Sequence, residues 1–463
     1  MSDASDTPSG HRWLVLAGGV LVQLAIGAVY AWSTFAKALQ SEASAFELSK
    51  VQAAIPFEVA IGMIFVGTFL GGRLQDRRGP RPVALAGVTV YSGGIMLASL
   101  ARDAGDLWLL ILGYGVLGGV GLGLAYIVPI SMLQKWFPDK RGLITGIAVG
   151  GFGFGAVITS PLAQAMIGAS EDYQRYPTKV FLWLGLAYLV AGLLGASVFR
   201  DPPQGYRVGA EPADESADES SGAEEETETE AEPVGAGHDY TQQEAMRTPQ
   251  WYLLTLILTV SVTAGISFVS IAAGTATDVA GFSAAGAATL VGVMGLFNGA
   301  GRILWAAISD RIGRRPAFLG ILGLQGLALL AIPHTSDVVL FCVLAAVIYL
   351  CYGGAFGTLP STASDFFGVR YSGAIYGLML IGWSIGGVAG PLLISWLVGD
   401  DQAYTLGFTV VGILALVGVA LPLVTRPPRR DTAPEESTPE ESTPARTTSA
   451  TGRSRDLEED PLP

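Results

Sequence analysis

Long apolar runs alternate along this chain with short polar breaks. The runs fall at about 13–35, 51–72, 82–101, 107–133, 142–168 and 178–199, then at 251–274, 283–308, 316–333, 336–358, 371–398 and 403–425. A helix crossing a ~30 Å hydrocarbon layer needs about 20 apolar residues, and each run comes close to that length. The pattern predicts an all-α membrane protein with twelve transmembrane helices. The first run lacks the short apolar core and small-residue cleavage site of a signal peptide, so it reads as a span.

The breaks set the orientation. Loops after spans 2, 4, 8 and 10 carry Arg73, Arg77, Arg78, Arg81, Lys135, Lys140, Arg141, Arg311, Arg314, Arg315 and Arg370, eleven basic residues. Loops after odd spans carry five: Lys37, Lys50, Arg102, Arg175 and Lys179. Basic loops stay in the cytoplasm, so both termini and the long connection after span 6 are expected there.

Composition agrees with this class. Half of the residues (50%) are hydrophobic and only 14% are charged, against roughly 25% charged in soluble domains. Much of the net charge of −13 sits in two low-complexity stretches, EPADESADESSGAEEETETEAEP and TAPEESTPEESTPART. Neither has the apolar residues to bury a core. The expected organisation is a cytoplasmic N-tail (1–12), a six-helix bundle (13–199), an acidic disordered cytoplasmic linker (200–250), a second six-helix bundle (251–425) and a disordered C-tail (426–463). Cys342 and Cys351 both fall in span 10, which predicts core thiols rather than a secreted disulfide framework.

The two halves repeat. GRLQDRRGPRP (72–82) follows span 2 and AAISDRIGRRP (306–316) follows span 8, with Asp76 and Asp310 234 residues apart. Pro161 and Pro391, 230 apart, each close a glycine-rich stretch. Repetition at one spacing predicts two homologous bundles. The pattern G-x-x-x-D-R-x-G-x-R resembles the loop motif of the major facilitator superfamily, with Ala306 where the first copy has Gly72. Gly72, Asp76, Arg77, Gly79 and Arg81, with Asp310, Arg311, Gly313 and Arg314, are thus expected to form a conformational gate. A carboxylate at a helix end facing arginines can make charge-assisted contacts that lock two bundles together.

Within that superfamily, RWLVLAGGVLVQLAIGAVYAWSTF, KWFPDKRGLITGIAVGGFGFG, FNGAGRILWAAISDRIGR and GGAFGTLPSTASDFFG resemble the oxalate/formate antiporter family. The resemblance covers all twelve spans. It implies a multi-pass carrier in the cytoplasmic membrane that moves small organic anions by alternating access around one central site. The implied partners are that anion and the lipid bilayer, not nucleic acid. The carrier is expected to function as a monomer, without a cofactor.

One residue makes the anion concrete. Arg302 stands in an apolar, small-residue run, and eight residues before Asp310 places it about 12 Å inside the helix end. A charge at such depth costs at least ~2.5 kcal/mol on insertion scales, and residues that bear it usually line a wet pathway. The bland alternative is snorkelling, or a tie to a neighbouring helix. The resemblance favours function, because the family's oxalate carriers bind a carboxylate with an arginine at this motif position. By the same motifs Tyr30, Tyr126, Tyr352 and Phe356 are expected to line the substrate cavity.

Trp383 is where the chain departs from the family. The oxalate carriers have a lysine at this place on helix 11. One fixed cation matches a monoanion better than a dianion, whose second carboxylate would be desolvated without a partner. A monocarboxylate such as formate, lactate or pyruvate is therefore expected over oxalate. Glu58 in span 2 is a candidate coupling residue, since a desolvated carboxyl can titrate near neutral pH. An interfacial or helix-pairing role for it stays open.

Gly115, Gly119 and Gly123 in span 4 and Gly146 and Gly150 in span 5 have GxxxG spacing, which predicts close helix packing. No G-x-x-x-x-G-K-[ST] phosphate loop occurs, the three histidines are scattered and no catalytic set converges, so the reading is a transporter without a metal site, not an enzyme. Two alternatives remain at this level: a proton-coupled symporter, and a non-transporting receptor on the same scaffold.

The acidic stretch yields a direct test. Replacing residues 210–235 with a neutral Gly/Ser chain of equal length should leave expression and transport within about twofold of wild type, since such linkers set reach rather than packing. Loss of folded protein in membranes would contradict this.

Overall fold

Inside hydrocarbon the backbone has no water to bond, so each crossing segment must satisfy its own amides, and an open-ended chain can do so only as a helix. The computed structural model describes residues 8–203, 206, 239–399 and 404–428. All regular elements among the described residues are helical. Twelve helices are long and apolar enough to span: α1 Gly10–Leu39, α2 Lys50–Arg78, α3 Pro80–Ala98, α4 Ala104–Trp136, α5 Arg141–Gly168 and α6 Pro177–Ser197, then α7 Pro249–Ala280, α8 Gly286–Ile312, α9 Arg314–His334, α10 Val338–Phe367, α11 Ser372–Val398 and α12 Tyr404–Val424. Most overrun the apolar runs that predicted them, because capped polar ends extend the helices past the hydrocarbon. Ser49 and Gln52 close a capping box at the start of α2, Thr248 caps α7 ahead of Pro249, and Asp337 caps α10.

Helices α1–α6 pack among themselves and so do α7–α12, giving the two expected bundles. They meet along two pseudo-equivalent seams, α2 against α11 and α8 against α5. Glycine sets the approach. The Gly119–Gly123 stripe of α4 lies on α2, where added Cβ atoms would meet the Ala60 and Ile64 carbonyls. Gly146 and Gly150 of α5 receive Ala306 and Ile303 of α8. The predicted spacing thus serves packing within a bundle in α4 and packing between bundles in α5. Cys351 is buried, Cys342 partly so, and neither is bonded.

Four of the described spans are not continuous. A 3-10 turn at Ala28–Ala31 interrupts α1, a π-helical stretch at Ile111–Gly118 interrupts α4, α11 breaks at Leu380 between Ser372–Met379 and Ile381–Val398, and α12 breaks at Val419 between Tyr404–Gly418 and Ala420–Val424. Such interruptions are common where a helix serves a site.

The duplicated loop motif joins the two bundles at one end of the seams. Gly79 and Gly313 turn the chain at φ +80° and +92°, a backbone region that disfavours any side chain, which accounts for the glycine in both copies. Neither α5 nor α11 caps its own start with a side chain. Instead, the opposite bundle supplies the cap. Asp310 accepts from the backbone N–H of Leu143 in the first turn of α5 at 2.8 Å, and Asp76 accepts from that of Ala374 in the first turn of α11. Each carboxylate meets the positive end of a helix dipole. Gly72 abuts Gly373, where a methyl group would collide with backbone, whereas the Ala306 methyl fits against Gly146.

The arginines differ from expectation. Arg77, Arg81 and Arg311 are exposed and form no ion pair among the described residues. Arg314 instead bridges Asp310 at 2.6 Å and Asp365 of α10 at 2.8 Å, with Arg141 adding a contact to Asp365 at 3.6 Å. An arginine must lie over the carboxylate to pair with it, and the turn at Gly313 brings only Arg314 back. Deeper in the seam, buried Gln134 of α4 accepts from Ser364 of α10 and donates to Thr145 of α5 at 3.4 Å.

The expected linker boundaries also move. Residues 200–203 and 206 are ordered against α4: the Arg200 carbonyl accepts from the Trp136 indole at 2.7 Å, Asp201 pairs with Lys135 and the Tyr206 ring meets Trp136. On the far side, Gln242–Met246 is helical, and Gln242 bridges Arg73 of α2 (2.7 Å) to the Ala374 carbonyl of α11 (2.8 Å). Aromatic anchors hold both ends. The acidic middle, 207–238, and the tail from 429 lie outside the described residues.

The trans-caps give a test of the closure. Asp76→Asn keeps an acceptor but loses the charge, a change of about 0.5–1 kcal/mol at a helix N-terminus. A cysteine at Ser131, buried under this contact, should then react about two- to fivefold faster with an impermeant thiol reagent applied to inside-out vesicles, and faster still in Asp76→Ala. Unchanged labelling in both variants would show that the carboxylate does not hold the gate.

Candidate functional site

Helix α8 is built to carry one large polar side chain among small neighbours. Gly301 lets it lie against the Leu350 carbonyl of α10, and the backbone of Arg302 itself is clamped between Gly146 and Gly357. The Arg302 side chain is fully buried at 0% exposure, the only charged side chain in the core of the described residues. It makes no ion pair among the described residues. Nη1 donates to the Val149 carbonyl at a long 3.4 Å, and the guanidinium lies 5.2 Å from the Phe152 ring centre and 4.8 Å from that of Phe356. Cation–π contacts of this kind offset burial by about 0.5–2 kcal/mol each. Nε and Nη2 have no partner. A buried donor left unmade is costly, and here two lie on one guanidinium.

The structure brings every predicted cavity residue around that guanidinium. The 3-10 turn in α1 carries Tyr30, and the Tyr114 hydroxyl holds the turn by donating to the Val29 carbonyl at 2.8 Å. Tyr30 and Tyr352 place their hydroxyls 3.4 Å apart. The Tyr126 carbonyl accepts from buried Gln23 at 3.1 Å, which fixes that part of α4. Trp383, just past the break in α11, is fully buried with ring centres at 5.0 Å from Phe356, 5.6 Å from Tyr126 and 5.8 Å from Phe152. Its indole N–H and the Tyr126 hydroxyl lack hydrogen-bond partners.

Two members were not anticipated. Phe152 of α5 forms the wall opposite Phe356, and Tyr376 of α11 reaches the Tyr126 hydroxyl. The repeat would have pointed to the first: Tyr126 lies 230 residues before Phe356, the spacing of the two prolines, and Phe152 lies 231 before Trp383, one residue off that spacing. The equivalent of Arg302, 234 residues earlier, is Thr68. Thr68 is also buried, and its hydroxyl donates to the Gly377 carbonyl at 2.8 Å across the other seam. The cage is therefore symmetric in its aromatic walls and asymmetric in charge.

Glu58 stands apart. It is half-buried in the outer half of α2, ten residues or about 15 Å along the helix from Thr68, with one carboxylate oxygen unpartnered. On the seam below it, Ser384 donates to the Ile61 carbonyl at 2.8 Å.

The cage offers donors: two guanidinium nitrogens, an indole N–H and phenol hydroxyls. It suits an anion with planar oxygens, which an arginine fork meets with two parallel bonds. No cluster of His, Cys, Asp or Glu able to hold a metal occurs among the described residues.

Comparison with known proteins agrees with this architecture. The chain matches the Major Facilitator Superfamily over residues 12–379 and 255–457. It is 29% identical to the uncharacterized MFS-type transporter YhjX of Escherichia coli (strain K12), over 82% of this chain and 88% of that one. It is 27% identical to the oxalate:formate antiporter of Oxalobacter formigenes, over 92% and 96%. Identity with apicoplast pyruvate carrier 1 of Toxoplasma gondii is 25%, over 93% and 92%. Among solved structures, the E. coli fucose:proton symporter FucP superposes with a TM-score of 0.63 at 14% identity, covering 89% of this chain and 98% of that one. With matched sequence over nearly its whole length and twelve spanning helices in two repeated bundles, the chain belongs to the Major Facilitator Superfamily of membrane transporters and is not an enzyme.

Proposed function

We propose that this protein is a secondary transporter of small monocarboxylates such as formate, lactate or pyruvate, resident in the cytoplasmic membrane. It works as a monomer, by alternating access around Arg302, and exchanges one anion for another. The observation that carries the reading is a fully buried guanidinium with two free N–H positions, aromatic walls and no second cation beside it. The relatives named for oxalate, formate and pyruvate support an organic anion as the cargo.

Each residue has a task in this reading. Arg302 takes the carboxylate through Nε and Nη2. Phe152 and Phe356 hold the guanidinium plane while the site is empty, and their low polarity keeps the ion pair strong once water is excluded. Tyr30, Tyr126 and Tyr352 narrow the cavity. Trp383 fills the volume that a longer or doubly charged anion would need, and leaves its far end without a countercharge. Opening to the cytoplasm requires the Asp76 and Asp310 caps and the Gln134–Ser364 contact to part. Symmetric seams allow the bundles to rock about the cage.

A second reading is proton symport, favoured by Glu58, whose half-buried carboxylate faces no cation among the described residues. Proteoliposomes separate the two. Uptake of labelled formate, lactate and oxalate should rise with internal counter-anion and not with an inward proton gradient; the reverse would establish symport. Arg302→Lys should cut uptake at least tenfold, the loss of one or more hydrogen bonds to a charged group. Trp383→Lys should shift preference toward oxalate. Oxalate preferred by the wild type, or full uptake in Arg302→Ala, would overturn the assignment.

A further inference from the structure

We propose that Tyr376, which no sequence motif singled out, is a further ligand of the transported anion. This rests on the reading of Arg302 as the anion anchor. Tyr376 is buried at 2% exposure, and its hydroxyl makes no well-formed hydrogen bond among the described residues. It stands beside the Tyr126 hydroxyl, which in turn stands beside the Arg302 guanidinium.

Three groups thus converge, and their donors outnumber their acceptors. Arg302 only donates. If it donates to the Tyr126 oxygen, the Tyr126 proton turns to the Tyr376 oxygen, and the Tyr376 proton is left with nothing to meet. Running the phenol pair the other way strands the Tyr126 proton instead. In either direction one buried O–H lacks an acceptor. Buried hydroxyls are almost always satisfied, and a phenylalanine would pack as well at this place without the deficit. An anion on the free edge of the guanidinium supplies the missing acceptor and completes the chain. The oxygen that Arg302 leaves least satisfied receives the phenol proton.

The position adds a consequence. Tyr376 precedes Gly377, whose carbonyl ties α11 to Thr68 of α2, and it lies within the helical segment Ser372–Met379 that the Asp76 cap begins. A ligand on this segment senses the anion from the very piece of α11 that must leave α2 when the cytoplasmic side opens. Occupancy of the cage and closure of the gate therefore share one helical segment.

Tyr376→Phe keeps the ring and removes only the hydroxyl. In proteoliposomes its KM for formate, lactate and pyruvate should rise about tenfold, as for one lost hydrogen bond to a charged group, with Vmax within about twofold of wild type. Its melting temperature without anion should match the wild type, while the rise on adding each anion should shrink. Tyr126→Phe should behave similarly, and the double variant should be little worse than the poorer single, because both belong to one chain of hydrogen bonds. Wild-type KM and anion-induced stabilisation in Tyr376→Phe, with Arg302→Lys inactive, would overturn this inference alone. The same result with Arg302→Lys fully active would overturn the anion site as well. Effects of the two tyrosines that multiply in the double variant would show that the hydroxyls act separately and would also contradict the chain.

Discussion

The organisation of this carrier depends on one buried guanidinium. Placing Arg302 at mid-span costs at least ~2.5 kcal/mol on insertion scales, and no carboxylate among the described residues pairs with it. Two aromatic faces and one long hydrogen bond to a backbone carbonyl offset part of that cost. The rest persists as unmade hydrogen bonds. Under the proposed function, a site left incomplete when empty binds the group that completes it, here an anion with paired oxygens. Much of the surrounding design follows. Small residues bring α5 and α10 against α8 so that the side chain cannot snorkel out, and interrupted helices deliver aromatic groups to its edges.

Duplication explains why the cage has aromatic walls on both sides but charge on one. Tyr126 and Phe356 occupy equivalent places, as do Phe152 and Trp383, while Arg302 is matched by Thr68. Had both equivalents been arginine, two like charges would share a small dry cavity, at a cost that only a dianion could offset. Threonine instead spends its hydroxyl on the Gly377 carbonyl and becomes part of the α2–α11 seam. One half of the molecule thus carries the buried charge, and at the equivalent place the other carries a hydrogen bond across the seam. The caps that Asp76 and Asp310 give to helices of the opposite bundle follow the same logic, since each exists only while the two bundles are together.

The fold was legible because a lipid environment leaves few choices, so apolar length predicts the spans. Arg302, Tyr30, Tyr126, Tyr352, Phe356 and Trp383 were legible through motifs, and the structure gathers them in one cage. Other features were not local. Asp365, partner of Arg314, comes from a helix whose motif neighbours gave no hint of pairing, and its repeat equivalent is Lys135, of opposite charge. Arg77, Arg81 and Arg311 matched a pattern, but a pattern does not say which way a side chain leaves a turn. Tyr376 looked like any core aromatic, because the deficit that marks it appears only beside Tyr126. The ordered ends of the linker had a faint signal in Tyr206 and Tyr240, aromatic residues bordering a stretch without them.

The central claim is that the free edge of Arg302 is the anion's seat. A structure of the wild-type carrier with a bound monocarboxylate tests it without the ambiguity of flux. The account predicts both carboxylate oxygens within about 3 Å of Nε and Nη2, with the rings of Phe152 and Phe356 still flanking the guanidinium. A carboxylate seated elsewhere in the bundles, with Arg302 unchanged on the Val149 carbonyl, would contradict it.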